Sequence, residues 1–200
     1  MNSSSPINRV ILFEPRALVR SGVCSLLHNH HCEVVHCWSL EKLIETICNQ
    51  GDDRQILLAG LGGIGNMIPS FIRILHYTRS MSLTSFVYLP VQDVLLTKML
   101  MGVGVDLCTT EDRLESELNK LFSKPSVAKR HGDCLSPAEL NVLLDYASGL
   151  QTKEIATRRT CNYKTVFTFK RNARIRLNIE NSSGWINLMS QISLLTSLYE

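Results

Sequence analysis

Short apolar runs alternate along the first part of the chain with stretches whose apolar residues recur every three or four positions. Val10-Ile11-Leu12-Phe13 is the centre of a buried strand expected over 8–15, and Leu18, Val19, Val23, Leu26 and Leu27 follow at helical spacing. Glu33-Val34-Val35 predicts a second strand, and Leu40, Leu43, Ile44 and Ile47 a second helix. Ile56-Leu57-Leu58-Ala59 reads as a third strand that runs into a glycine-rich turn. Helical spacing returns near 67–78, followed by a strand at Ser85–Leu89, a helix at Asp93–Met101, a strand near Val103–Cys108 and a helix at Glu111–Leu121. Strand and helix thus alternate through residues 1–122. The expected fold there is an α/β doubly wound domain, a parallel sheet with helices on both faces.

The pattern then changes. Residues 123–133, with Pro125, Gly132 and little apolar content, read as a linker. Residues 134–200 predict a second, all-α domain of four helices. Ser136-Pro137-Ala138-Glu139 is a capping box with proline at the first helical position, and Gly149 is a stop. Thr152 to about Arg158 forms a short second helix. Asn162 caps a third helix that runs to about Leu177. Ser183 is the expected cap of the fourth, which carries Trp185, Leu188, Met189, Ile192 and Leu195 on one stripe that Leu198 continues.

Charge adds what periodicity cannot. The formal net charge is +3, yet the window 151–177 holds eight Lys/Arg and one acid, so it carries +7 against −4 elsewhere. A clustered basic block on a near-neutral chain points to a nucleic-acid face; the alternative is a solvated charge run. On a helix that begins after Asn162, residues 164, 167, 168, 171 and 175 share one face while Val166, Ala173 and Leu177 turn inward. Lys164 and Arg171 are therefore the candidates for phosphate or guanine edges, Phe167 and Thr168 for a base or a thymine methyl, and Lys153, Lys170 and Arg174 for phosphate contact, with Thr165 counted in the same DNA-binding set.

Other features suggest weaker alternatives. The seven cysteines are scattered and form no Cys-x-x-Cys pair, which argues against a disulfide framework and fits a reducing cytoplasm. Four of six histidines lie with Cys32 and Cys37 between His28 and Cys37, but a helix end passing into a strand does not converge four ligands, so no metal site is expected. Gly60-Leu61-Gly62-Gly63-Ile64-Gly65 fits a phosphate-cradling loop, yet Pro69 interrupts the early helix and no acid ends the next strand; no cofactor is expected. No apolar run approaches the roughly 18 residues of a membrane span, and the first six residues lack the pattern of a secretory signal. No catalytic arrangement stands out, so an enzyme is not expected.

Leu135-Ser136-Pro137-Ala138-Glu139-Leu140, Gly149-Leu150-Gln151-Thr152-Lys153-Glu154-Ile155-Ala156, Lys164-Thr165-Val166 and Arg171-Asn172 together resemble the DNA-binding domain of the LuxR/NarL family. The resemblance implies a four-helix helix-turn-helix with 152–159 as supporting helix and 162–177 as recognition helix. It further implies dimer contact through the last helix, here Leu188, Met189, Ile192 and Leu195. Phe167 departs from the polar or basic residue usual in the family, and Gln151 departs from the usual Ser, so the expected cap of the second helix passes to Thr152.

Phe13-Glu14-Pro15-Arg16-Ala17-Leu18-Val19-Arg20-Ser21-Gly22 resembles the start of a response-regulator receiver domain. Receiver chemistry needs an acidic pair for Mg²⁺ and an aspartate at the end of the third strand. Here Glu14 keeps one acid, Pro15 replaces the other, Ala59 or Gly60 stands at the nucleophile position and Thr109 at the lysine; the hydroxyl position maps near Leu89-Pro90. The expectation is a pseudoreceiver joined to a DNA-binding domain. Such a chain would be a cytoplasmic transcription regulator that binds double-stranded DNA without phosphorylation, as a homodimer or with a related response regulator. Regulators of this kind in enteric bacteria often control fimbriae or capsule. The rival from another class is a protein–protein module that sequesters another regulator and binds DNA little.

Overall fold

The computed structural model describes residue 7 and residues 9–49, 55–81, 83–123 and 134–197. The apolar runs become the strands β1 (Arg9–Phe13), β2 (Glu33–Cys37), β3 (Gln55–Gly60), β4 (Thr84–Leu89) and β5 (Leu107–Thr110), all parallel in the order β2-β1-β3-β4-β5. Parallel strands need a crossover between them, and the helices α1 (Ala17–His28), α2 (Leu40–Cys48), α3 (Ile68–Ser80), α4 (Val94–Val103) and α5 (Leu114–Ser123) supply it. The central strands β1, β3 and β4 are apolar at nearly every position because helices cover both of their faces. Their register sets Phe13 beside Ala59 and Gly60 beside Tyr88, so the three strands end side by side.

Three boundaries differ from the sequence reading. β5 begins at Leu107 rather than near Val103: Val103 completes α4 as a buried residue, and Gly104 ends that helix at φ 111°. Pro69 does not interrupt α3. It stands in the first turn, after a short 3-10 turn at Gly65–Met67, where its missing N–H has no helical partner to lose. α5 ends at Ser123, one residue into the expected linker, whose remainder lies outside the described residues.

The second part holds α6 (Pro137–Ala147), α7 (Thr152–Arg158), α8 (Tyr163–Arg176) and α9 (Ser182–Ser197). The capping box at Ser136 forms as expected: Ser136 Oγ accepts from the Glu139 N–H and Glu139 Oε2 from the Ser136 N–H. Two other caps move. Gln151, not Thr152, is the N-cap of α7; its N–H donates to Glu154 Oε2 (2.6 Å), and the Thr152 hydroxyl bonds Tyr146 instead. At α9 the helix starts two residues earlier than a Ser183 cap allows, and Asn181 Oδ1 accepts from the Gly184 N–H.

One apolar cluster runs from the sheet through α3 and α4 into α6, α8 and α9. Leu135 lies at the junction, its N–H donating to the Gly102 carbonyl (2.7 Å) and its own carbonyl accepting from His76 Nε2 (2.9 Å). The stripe on α9 faces this cluster. Leu188 and Ile192 are fully buried, Met189 and Leu195 are half-buried against it, and α9 packs on α3, α4, α6 and the 3-10 turn. A dimer surface expected on those four residues is thus used inside the chain. Leu198 lies outside the described residues.

Candidate nucleic-acid interface

α7 and α8 are joined by a turn in which Thr160 takes a left-handed conformation (φ 52°). Asn162 Oδ1 accepts from the Lys164 N–H at 2.9 Å and fixes where α8 begins. Val166 packs with Val142, Ile155 and Ala156, and Ala173 and Leu177 enter the larger cluster. Those inward residues leave Tyr163, Lys164, Phe167, Thr168, Arg171 and Ile175 exposed on the outer face, with Thr165 half-buried at its edge. The helix-turn-helix reading is met: one side of α8 seats the helix and the other is open.

The basic block divides into two sets. Lys153, Lys164 and Arg171 are exposed, and their side chains make no hydrogen bond or ion pair among the described residues. The rest are used internally. Arg159 reaches Asp145 at 2.6 Å and Arg158 reaches it at 3.5 Å, while Arg176 pairs with Glu139 at 3.0 Å. Both acids are buried on α6, so each needs such a partner. Arg174, expected at a phosphate, donates to the carbonyls of Ile179 and Glu180 after the helix. Lys170, also expected there, holds its Nζ 4.6 Å from the Tyr146 ring centre and 5.5 Å from that of Trp185. Burial first, and the nearby Arg174 charge second, push its pKa down. These two residues stiffen the domain in this arrangement rather than standing free.

Two positions on the outer face carry unexpected chemistry. The Thr168 hydroxyl donates to the Lys164 carbonyl (3.0 Å), one turn back. Phe167 meets the Tyr163 ring edge to face, with centroids 6.3 Å apart. Tyr163 was not among the sequence candidates, though its four-residue offset from Phe167 is a legible signal.

At the other end of the chain, the expected degenerate pocket contains a closed ionic cluster. Glu14 is fully buried, and its carboxylate accepts from the Arg16 N–H (2.9 Å), Arg16 Nε (2.9 Å), Arg16 Nη2 (2.8 Å) and the Tyr88 hydroxyl (2.7 Å). Arg16 Nη2 also pairs with Glu111 at 2.7 Å. Between these carboxylates the Arg16 pKa is raised, chiefly by its hydrogen bonds to Glu14. The Tyr88 phenol is pushed well above its ordinary value by burial and then by the Glu14 charge. Gly60 leaves the space: a Cβ there would lie 2.1 Å from Glu14 Oε2 and 2.9 Å from the Tyr88 ring. Gly62 and Gly63 likewise lie against the Arg16 side chain, so the glycine loop is packed on a guanidinium.

Of the sequence-named pocket residues, Glu14 and Gly60 meet. Pro15 gives its carbonyl to Arg20 (3.3 Å), Ala59 is buried in the sheet, and Thr109 is a half-buried residue of β5. Arg16, Tyr88 and Glu111 were missed. A hydroxyl reaches Glu14 from Tyr88 within β4, while Leu89 and Pro90, at the position mapped for the family's hydroxyl, carry none. Cys24 Sγ lies 3.8 Å from His36 Nδ1, but no group of three or more metal-type ligands gathers among the described residues. Among those residues no helix is long and apolar enough to cross a membrane.

Residues 133–189 match the family model described as bacterial regulatory proteins, luxR family. Over 77 residues the chain is 31% identical to the transcriptional regulatory protein RcsB of Escherichia coli K12, an alignment that covers 38% of this chain and 36% of that protein. The same figures hold for RcsB of Salmonella typhimurium. The chain thus matches about a third of the length of these curated relatives. Two solved structures extend the likeness of fold to both halves. RcsB of Salmonella enterica serovar Typhimurium, bound to the rprA promoter with a phosphomimetic, superposes with a TM-score of 0.57 at 21% identity over 92% of this chain and 99% of that one. A Salmonella typhimurium RcsB variant gives 0.51 at 19% identity over 94% and 100%. The architecture is that of a receiver-like α/β domain followed by a helix-turn-helix domain.

Proposed function

We propose, from the match of residues 133–189 to the luxR-family model, that this chain is a sequence-specific DNA-binding transcription regulator whose receiver-like domain acts without aspartyl phosphorylation. The carrying observation is the open outer face of α8, where Lys164 and Arg171 stand exposed and unpaired among the described residues, as Lys153 does on α7. Such side chains neutralise phosphates and reach guanine edges when the helix enters a major groove. The filled Glu14–Arg16–Tyr88 pocket supports phosphate independence, since a guanidinium occupies the acidic site and Gly60 offers no nucleophile. The chain works in the cytoplasm on double-stranded DNA, paired with itself or with a related response regulator, and it is not an enzyme. Fimbrial or capsule genes are the targets to which the family resemblance points.

Binding of the full chain to promoter fragments across a salt series tests the main reading. Affinity should fall steeply with salt, and Lys153→Ala should reduce the logarithmic slope by about 1. Binding that is indifferent to both salt and sequence would leave the rival protein–protein module in its place. Incubation with acetyl phosphate and Mg²⁺ should add no phosphoryl mass to the protein; an adduct in the first domain would overturn phosphate independence. A genome-wide occupancy map identifies the targets.

A further inference from the structure

The row Tyr163, Phe167, Arg171 and Ile175 runs along α8 at four-residue spacing, and every member is exposed. Charge does not account for this row. Phe167 is 52% and Tyr163 50% accessible, so two aromatic side chains stand half in water although burial favours both. Their edge-to-face contact restricts the Phe167 ring and holds it out from the domain. The cations Lys164 and Arg171 flank the ring on the same face, three residues before it and four after. The Thr168 proton is spent on the Lys164 carbonyl, Val166 points inward, and Lys170 sits over Tyr146 and Trp185. Phe167 is the fifth residue of the helix, in the N-terminal part that contacts base edges when a recognition helix docks.

In a major groove of unmodified DNA an apolar ring meets only one apolar feature, the C5 methyl group of thymine. We propose that Phe167, steadied by Tyr163, reads thymine through that methyl group and thereby helps to set the sequence this chain selects. The inference rests on the DNA-binding reading above and adds the chemistry of one contact to it. Because 5-methylcytosine carries a methyl group at the same ring position, it satisfies the same contact.

The test uses the full chain and a duplex library with a randomised core, from which a preferred sequence is selected. Thymidine in that duplex is then replaced by deoxyuridine, one position at a time, and the affinity read by fluorescence anisotropy. Deoxyuridine removes the methyl group and leaves every hydrogen-bonding atom in place. At one or two positions it should weaken binding about fourfold, the worth of one buried methyl-sized group. At those positions a duplex with 5-methylcytosine should bind better than one with cytosine. Phe167→Ala should bind the thymidine and deoxyuridine duplexes equally, whereas Phe167→Leu, still apolar, should keep part of the preference. If deoxyuridine is tolerated everywhere, or if Phe167→Ala still discriminates, the methyl-reading proposal is wrong while DNA recognition stands. If no sequence is selected at all, the DNA-binding reading fails and this inference with it.

Discussion

A carboxylate removed from water survives where enough donors converge on it, and Glu14 has four, three of them from Arg16 and one from Tyr88. Taking away one partner of a buried pair costs about 3–5 kcal/mol, because the survivor stays charged without compensation. Arg16→Met should therefore lower the unfolding free energy in urea by about that much. Adding Glu14→Gln should recover a good part, since the neutral amide needs no counter-charge; equal losses in the single and double variants would show that the pair is uncoupled. Tyr88 gives a pH signature. Its pKa is raised by burial and by Glu14, so above about pH 10 the unfolded chain loses a phenol proton that the folded chain retains. Unfolding then releases a proton, and stability falls as pH rises through that window. Tyr88→Phe should be less stable at pH 7 for want of a hydrogen bond to a charged group, about 1.5–3 kcal/mol. It should also lose less per pH unit above 10 than the parent. Urea midpoints between pH 7 and 11 measure both effects.

α8 separates neighbouring cations by what lies beneath each. Lys170 and Arg171 are adjacent in sequence, yet about 100° of helical rotation aims one at Tyr146 and Trp185 and the other at solvent. Lys170→Ala should lower the melting temperature, since it removes a cation–π contact worth about 0.5–2 kcal/mol and uncovers two rings. Arg171→Ala should leave melting unchanged and reduce discrimination between specific and random duplex by about 1–3 kcal/mol. Paired thermal melts and binding curves decide, and the reverse pattern would exchange the two roles. The contrast marks what one chain of letters can reveal. The α/β alternation, the capping box at Ser136 and the Asn162 cap depend on residues within four positions of one another, so they were legible. The fates of Lys170 and Arg176 depend on α6, about 24 to 37 residues earlier in the sequence, and local periodicity holds no information about that. Glu14 and Tyr88 meet across 74 residues, so the sequence showed that the pocket had lost its phosphorylation residues but not what fills it. β5 was misplaced because Val103 and Val105 are both apolar and flank a glycine, a pattern that a helix end and a strand start share.

The two halves meet where α4 faces the end of α8, and glycine makes that approach possible. A Cβ on Gly102 would lie 2.4 Å from Leu177 Cδ2, inside contact distance, and Leu177 is itself 2% exposed beside Leu135. The same Gly102 carbonyl accepts the Leu135 N–H, while Lys98 donates to Asn178 and Arg73 to Asn141 across the junction. This contact leaves the outer face of α8 open and covers the apolar face of α9. The periodicity of α9 showed that one face must be buried, but it could not say whether a second chain or this chain's own α3 and α4 would cover it. Gly102→Val should separate the halves without unfolding either, since a side chain within α4 favours the helix and only the junction loses fit. Small-angle scattering should then show a larger radius of gyration while circular dichroism keeps its helical amplitude. Release of the part of α9 that meets α4 and the 3-10 turn should also produce self-association with rising concentration in sedimentation, as freed apolar faces do. An unchanged radius would mean that Leu177 yields to the new side chain and the junction holds. A larger radius without self-association would show that α9 keeps its apolar face within the C-terminal helices, and pairing of this chain would then need a different surface.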